Sequence, residues 1–345
     1  MAKSRKTIAL TYDVKADYVL RRGDPPDANA EFDHPDTIGV IADAIRSGGY
    51  DVKCIGNVYN LLKSLKNCAA RLPAERGKAW RGYDIVFNIA EGKFGRNRES
   101  QVPIILEMMG IPFVGSDGLT LGLTLDKVMA KKLLISEGIR TPKFMQLDEV
   151  AKLNGVALDY PLIVKPRYEG SSKGLSDSSV VTSRNRLKKQ AQWVIKNYKQ
   201  PALIEEFIQG SEFTVAVLGN KTPRALPVVQ IKIDGKTNLN NLFYTFSRIY
   251  SNTLDYVCPA PISKKLEEKL KALAIKTYRA FECWDFGRVD IRVDKKGNPY
   301  VLEINPLPSL STEDVFGVIA NMQKITYEEM ILKILREGLK RHGIL

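Results

Sequence analysis

At 345 residues, 44% hydrophobic and 26% charged, the chain is an ordinary soluble globular protein with room for two or three packed domains. No apolar run spans a membrane, no signal-peptide core leads the sequence, and Cys54, Cys68, Cys258 and Cys283 lack metal or redox spacing, so a cytoplasmic protein with reduced thiols and no membrane partner is expected. The two histidines, His34 and His342, disfavour a histidine metal centre or a Ser-His-Asp hydrolase; the net charge of +13 reads as solvated helix faces plus a basic cleft, so nucleic acid is not an expected partner.

Strand-like and helix-like segments alternate from the start. A strand over 8–12 is followed by a polar, Pro-rich loop and a helix over 35–47, which Gly48-Gly49 stops. A strand over 52–55, a helix over 58–68 and an apolar strand over 84–89 follow. A Gly/Arg-rich loop then precedes a helix over 101–109. This is a βαβ pattern with a parallel sheet. A helix over 126–137, closed by Gly138, leads to shorter strands at 143–146, 162–165, 180–182, 203–207 and 213–219. Beyond Val228 the pattern is mixed, with helices near 264–282 and at the C-terminus. The fold class is α/β (α+β), in three units: 1–118, 119–206 and 207–345.

The stretch 286–305 carries the most chemistry. Two alternating segments flank Lys-Lys-Gly-Asn, the signature of a β-hairpin. Side chains two apart share a strand face, so Arg288, Asp290 and Arg292 line one side of the first strand and Glu303 and Asn305 one side of the second. Val289, Ile291, Val293, Leu302 and Ile304 take the other face. Two carboxylates, an amide oxygen and a guanidinium suit magnesium carrying substrate phosphates, with the arginine neutralising a transferring phosphoryl group. A solvated hairpin with cross-strand ion pairs is the plainer alternative.

Two earlier segments add to this. Residues 160–174 form a strand ending in Lys165 and then a Gly/Ser loop, whose N–H groups and hydroxyls can meet phosphate oxygens, with Lys173 adding charge. Residues 204–215 read as a strand, a break at Gly210 and a second strand, with Glu212 able to accept hydrogen bonds from ribose hydroxyls. There is no Walker A sequence and no G-x-G-x-x-G after the first strand.

In chain order, Asp126-Lys127, Lys165-Pro166, Glu169-Gly-Ser-Ser, Glu205-Glu-Phe, Arg288-Val-Asp and Glu303-Ile-Asn resemble the ATP-grasp superfamily, and most closely the D-alanine–D-alanine ligases. The resemblance implies an ATP-grasp fold: an N-terminal parallel-sheet α/β domain (1–118), a central lid subdomain (119–206) and a C-terminal subdomain with the metal site (207–345). It implies ATP and Mg2+, two ions with Mn2+ as a substitute. Lys127 and Lys165 would hold the phosphates, with Glu169 and Ser172 of the Gly/Ser loop also placed at the nucleotide. Glu205 and the backbone of Phe207 and Ile208 would form the adenine site, and Glu212 the ribose acceptor. Asp290, Glu303 and Asn305 would be metal ligands. Arg288 would act at the reacting centre, and Ser171 and Tyr250 would close over the first amino acid. The activity implied is ATP-dependent joining of a carboxylate to an amine through an acyl phosphate, on small-molecule amino-acid or peptide substrates, in cell-wall or specialised peptide synthesis. Homodimers are common in the resembled family.

The sequence also departs from that family. Glu31 is the nearest candidate for the glutamate that binds the first substrate's ammonium. Arg96 and Arg98 bring positive charge to a rim that is usually acidic. Ser309 replaces a glycine, and Asp314 falls where a serine is expected to bind the second substrate's carboxylate. A carboxylate facing a carboxylate is repulsive, which favours a specialised ligase whose acceptor is not D-alanine or binds in another pose. A non-catalytic ATP-binding module and a nucleic-acid binder are the lower-ranked rivals.

Overall fold

In the computed structural model, which describes residues 5–67, 82–149, 153, 157–249, 251 and 253–345, the chain builds three sheets around one cleft. The first contains β1 (Thr7–Tyr12), β2 (Asp51–Gly56), β3 (Ile85–Ile89) and β4 (Phe113–Val114), in the parallel order β2-β1-β3-β4. Every residue of β3 is buried, as expected of a parallel strand covered on both faces. Helices α1 (Pro35–Ser47), α2 (Val58–Asn67) and α3 (Gln101–Met108) make the crossovers. Helix α1 begins at Pro35, with its fixed φ at the first helical position, and buries Ile38, Ile41, Ala42 and Ile45 on one stripe. The expected end of the next helix at Cys68 lies outside the described residues.

Helix α4 (Gly118–Leu125) is not among the expected elements; its Leu-Thr-Leu-Gly-Leu-Thr-Leu sequence alternates like a strand. Capping decides the matter. Asp117 accepts a hydrogen bond from Thr120 N at 2.9 Å, and Asp126 accepts from Val128 N and Met129 N to start α5 (Lys127–Ser136) immediately behind it. The second sheet holds β5 (Phe144–Leu147), β6 (Leu162–Pro166), β7 (Val180–Val181) and β8 (Ala202–Glu206), with α6 (Arg184–Tyr198) on it, in the antiparallel order β5-β8-β6-β7.

The third sheet is the largest. Strands β9 (Gly210–Leu218), β10 (Arg224–Ala225), β11 (Val229–Ile233), β12 (Asn238–Asn240) and β13 (Leu254–Val257) precede β14 (Phe286–Asp294) and β15 (Pro299–Asn305), with α7 (Phe246–Ile249) and α8 (Lys264–Ala280) between them. The order is β13-β11-β9-β14-β15, with β10 and β12 also on β9. The expected hairpin is β14–β15, with one correction. Asp290 pairs with Glu303 but Ile291 pairs with Val301, so a bulge at Leu302 shifts the pleat. Val301 therefore enters the core, and Leu302 leaves the apolar face for the cleft wall.

The last helices, α9 (Val315–Met322) and α10 (Tyr327–Arg341), return to the first sheet. Ile331, Ile334 and Leu335 share a core with Ile8, Leu10, Ile41 and Phe87. At the seam, Asp285 is fully buried and accepts from Gly115 N at 2.8 Å, while Arg341 Nη2 reaches it at 2.8 Å and also donates to the carbonyls of Phe113 and Gly115. No helix among the described residues is long and apolar enough to cross a membrane. Because Asp285 has a φ of +64, which asparagine also tolerates, Asp285→Asn isolates the charge. It is expected to cost about 3 kcal/mol, read as a lowered urea midpoint, since Arg341 is then left without its counter-charge.

Candidate active site

The cleft between the sheets encloses about 950 Å³. Its floor is set by strand register. On β14, Arg288, Asp290 and Arg292 share a face; β9 sets Thr214 beside Asp290 and Glu212 beside Arg292, and β15 sets Glu303 beside Asp290 and Asn305 beside Arg288. Thr214 Oγ1 donates to Asp290 Oδ1 at 2.6 Å, and Asn305 Nδ2 donates to Asp290 Oδ2 at 2.9 Å. The amide nitrogen of Asn305 is thereby committed, leaving its oxygen as the atom available to a cation. Burial, then repulsion from Glu303, raises the Asp290 carboxyl despite Arg288. Burial also lifts Glu212 to about 7, with Arg292 opposing and Asp290 and Glu303 adding to the rise.

Lys127 and Lys165 line the cleft above this floor, and Lys131 is buried behind them. Lys127, at the start of α5, lies 3.2 Å from Glu303. Burial would raise the Glu303 carboxyl, but Lys127 and Lys165 outweigh it and hold the group at about 2. Lys165 on β6 and Lys131 on α5 stand 3.1 and 3.2 Å from Glu205 Oε1 on β8, and although burial would raise this carboxyl the two ammonium groups hold it below its ordinary value. Burial pushes Lys131 down to about 8 against the pull of Glu205. Sequence reasoning overlooked Lys131, although it lies one helical turn from Lys127 on the same face. Beside these charges, Ile163, Phe207 and Phe243 form an apolar slot, the two rings 5.6 Å apart and edge-on, with Ile208 also on the wall.

Among the described residues no three His, Cys, Asp or Glu side chains form a self-sufficient metal cage. Two carboxylates and one amide oxygen suit magnesium, which keeps waters and takes its remaining ligands from phosphate. The residues present fit that ion. Arg288 lies 3.4 Å from both Asp290 and Asp314, and its buried Nε has no hydrogen-bond partner. Asp314 caps α9, accepting from Val315 N at 2.7 Å, and Ser309 is exposed on the same wall.

The Gly/Ser loop is clamped from the N-terminal side. Glu31, with its side chain 3% exposed, accepts from Arg98 at 2.7 Å, from Lys173 at 2.8 Å and from Gly170 N at 2.7 Å. Asp27 accepts from Gly174 N at 2.8 Å and from the Tyr198 hydroxyl. Lys173 also pairs with Glu169, to which Gln200 donates. Between these ties Ser171 and Ser172 take φ values of +46 and +56, a left-handed pair that only a well-held loop sustains. Both line the cleft.

Two expected rim residues lie elsewhere. Arg98 is buried behind Glu31, with its charge spent on Glu31 and on the Tyr168 carbonyl. Arg96 is 58% exposed and turns to Asp126, which also holds Arg167 at 2.6 Å. Neither lines the cleft, because buried carboxylates draw both away from it. Tyr250 lies outside the described residues. The cleft thus brings together Glu31, Lys127, Lys165, Glu169, Ser171, Ser172, Glu205, Phe207, Ile208, Glu212, Arg288, Asp290, Glu303, Asn305, Ser309 and Asp314.

A family model described as "D-ala D-ala ligase C-terminus" matches residues 133–336. An uncharacterised protein of Sinorhizobium fredii, y4sG, is 37% identical over 308 residues, covering 88% of this chain and 89% of that protein. A D-alanine–D-alanine ligase of Carboxydothermus hydrogenoformans is 34% identical over 307 residues, covering 86% of this chain and 90% of that protein. The crystal structure of the VanG D-Ala:D-Ser ligase of Enterococcus faecalis superposes with a TM-score of 0.73 at 22% identity, over 97% of this chain and all of that one. The shared fold is the one expected from the sequence.

The Glu31 clamp has a pH signature. Burial alone would raise the Glu31 carboxyl, but Arg98 and Lys173 hold it far below its ordinary 4.5. A depressed carboxyl adds stability that is full above that value and is lost as pH falls through the lower, folded one. Glu31→Gln is therefore expected to be less stable than the parent at pH 7, with the gap narrowing as pH is lowered below 4.5, in urea titrations across a pH series.

Proposed function

Because the chain belongs to the D-alanine–D-alanine ligase family, we propose that it joins a carboxylate to an amine at the expense of ATP, releasing ADP and phosphate. The observation that carries this reading is the convergence of Lys127, Lys165, Arg288, Asp290, Glu303 and Asn305 on one cleft. The family implies ATP, and the apolar slot of Ile163, Phe207 and Phe243 suits a purine. Glu205, the register partner of Ile163, is then the carboxylate at the base, and Glu212 on the same cleft wall would be the ribose acceptor. Magnesium held by Asp290, Glu303 and Asn305 would neutralise phosphate oxygens.

The remaining steps rest on this chain's own side chains. Lys127 and Lys165 draw the phosphates towards the floor. The donor carboxylate oxygen attacks the terminal phosphorus, ADP leaves, and an acyl phosphate results. The acceptor amine then attacks the acyl carbon and phosphate departs. Arg288, with one buried donor unpaired, is placed to meet charge on the transferring group and then on the tetrahedral oxyanion. Residues 1–118, 119–206 and 207–345 are assigned as the N-terminal, lid and C-terminal parts of the ATP-grasp assembly.

A second reading keeps the chemistry and changes the amino acids. Glu31, the candidate ammonium ligand, already has Arg98, Lys173 and Gly170 N on it, and Asp314 offers a carboxylate already shared with Arg288. Both observations favour substrates other than two D-alanines. Phosphate release with purified protein, Mg-ATP and either D-alanine alone or an amino-acid panel separates the readings. Full turnover on D-alanine at low millimolar concentration would remove the second.

Glu303→Gln is expected to lower turnover at least about 100-fold with the fold intact by circular dichroism; near-normal turnover would refute the metal assignment. Lys165→Ala is expected to raise the KM for ATP by about tenfold or more, the loss of a charge-assisted contact. An unchanged KM would remove Lys165 from the phosphate site.

A further inference from the structure

Arg292 is one of the largest fully buried side chains, 2% exposed, on a strand whose neighbouring functional residues all face the cleft. Its Nη2 donates to three carbonyls, of Gly210 at 3.2 Å, Asn240 at 3.3 Å and Leu242 at 3.0 Å. Its guanidinium lies over the Phe207 ring, 4.6 Å from the centroid. Its Nε is buried without a hydrogen-bond partner and lies 3.7 Å from Glu212 Oε2. A core that needed only volume would use an apolar residue here, since a buried guanidinium with an idle donor is costly.

What the planar fork joins gives the reason for it. Phe207 belongs to the apolar slot, Glu212 lines the same cleft, and Asn240 and Leu242 lead into Phe243, the slot's other ring. One rigid group thus sets the spacing between the ring that would stack on a base and the carboxylate that would take ribose hydroxyls. A lysine ammonium has donors enough for these carbonyls but no planar face, so it could not meet them from Nη2's place and at the same time lie flat over the Phe207 ring with a second nitrogen towards Glu212.

Resting on the ATP-binding reading above, we propose that Arg292 is a positioning residue for the nucleotide, holding Glu212 where it would meet the ribose hydroxyls, at a fixed distance from a Phe207 ring that Ile163 and Phe243 already keep in place. It does not touch the reacting atoms.

The test is binding, measured by calorimetry with Mg2+ and either ATP or 2′,3′-dideoxy-ATP, and so independent of the unidentified amino acids. Arg292→Lys is expected to weaken ATP about tenfold but dideoxy-ATP by no more than about twofold, because the latter has no hydroxyls for Glu212 to accept. Glu212→Gln with Arg292→Lys should bind ATP no more weakly than Glu212→Gln alone, the non-additivity expected of a residue acting through another. Equal weakening of both nucleotides, additive losses, or unchanged ATP binding would overturn the proposal. Arg292→Gln, which keeps a donor for one carbonyl, is carried alongside; if both variants fail to fold by circular dichroism, Arg292 belongs to the fold and the proposal falls. Failure of the unaltered protein to bind ATP would overturn the ATP-binding reading itself, a result distinguishable from these.

Discussion

The site depends on the pleat of one strand, held in register from both sides. β14 lies between β9 and β15, so its alternate residues are fixed in spacing, in facing direction and in partner. The apolar set closes a core against α8, and the polar set forms a row that crosses the cleft. A one-residue slip would exchange the two sets, and the number of backbone bonds on both edges makes that slip prohibitive. Carboxylates that would repel one another in a mobile loop can be kept side by side only on such a frame.

Charge then has to be brought to the row from outside the sheet. Asp126 organises much of this. Only 1% exposed, it caps α5, receives both ends of the Arg167 fork at 2.6 Å and takes a contact from Arg96. Fixing the first turn of α5 fixes Lys127, which lines the cleft, and, four residues on, Lys131, which stays buried behind it between Thr141 and Glu205. An acidic cap also complements the positive end of the helix, and the same carboxylate therefore does two jobs.

Much of this was legible in the sequence because it is periodic or local. The bounds of α1 follow from Pro35 and Gly48-Gly49, and the hairpin from two-residue alternation around a glycine turn. What was illegible depends on neighbours. The bulge at Leu302 arises from pairing, which alternation alone does not encode. Helix α4 alternates like a strand and is decided by its flanking aspartates. Arg98 reads locally as a charged loop residue; only the arrival of Glu31, 67 residues earlier in the chain, makes it a buried one. Lys173 likewise meets Glu31 across 142 residues. The ATP-grasp fold came through the ordered motifs, which keep their sequence order whatever the tertiary partners of each residue.

The return of α10 to the first sheet bears on the order of assembly. Ile8 and Leu10 share their core with Ile331 and Leu335, and Arg341 closes the seam at Asp285. During synthesis, therefore, the first sheet has strands and crossover helices but an open apolar face until residues 327–341 have emerged. Contacts of such long sequence separation also slow the final closure. Closure of the first sheet thus waits on a helix that lies two sheets further along the chain than its own strands.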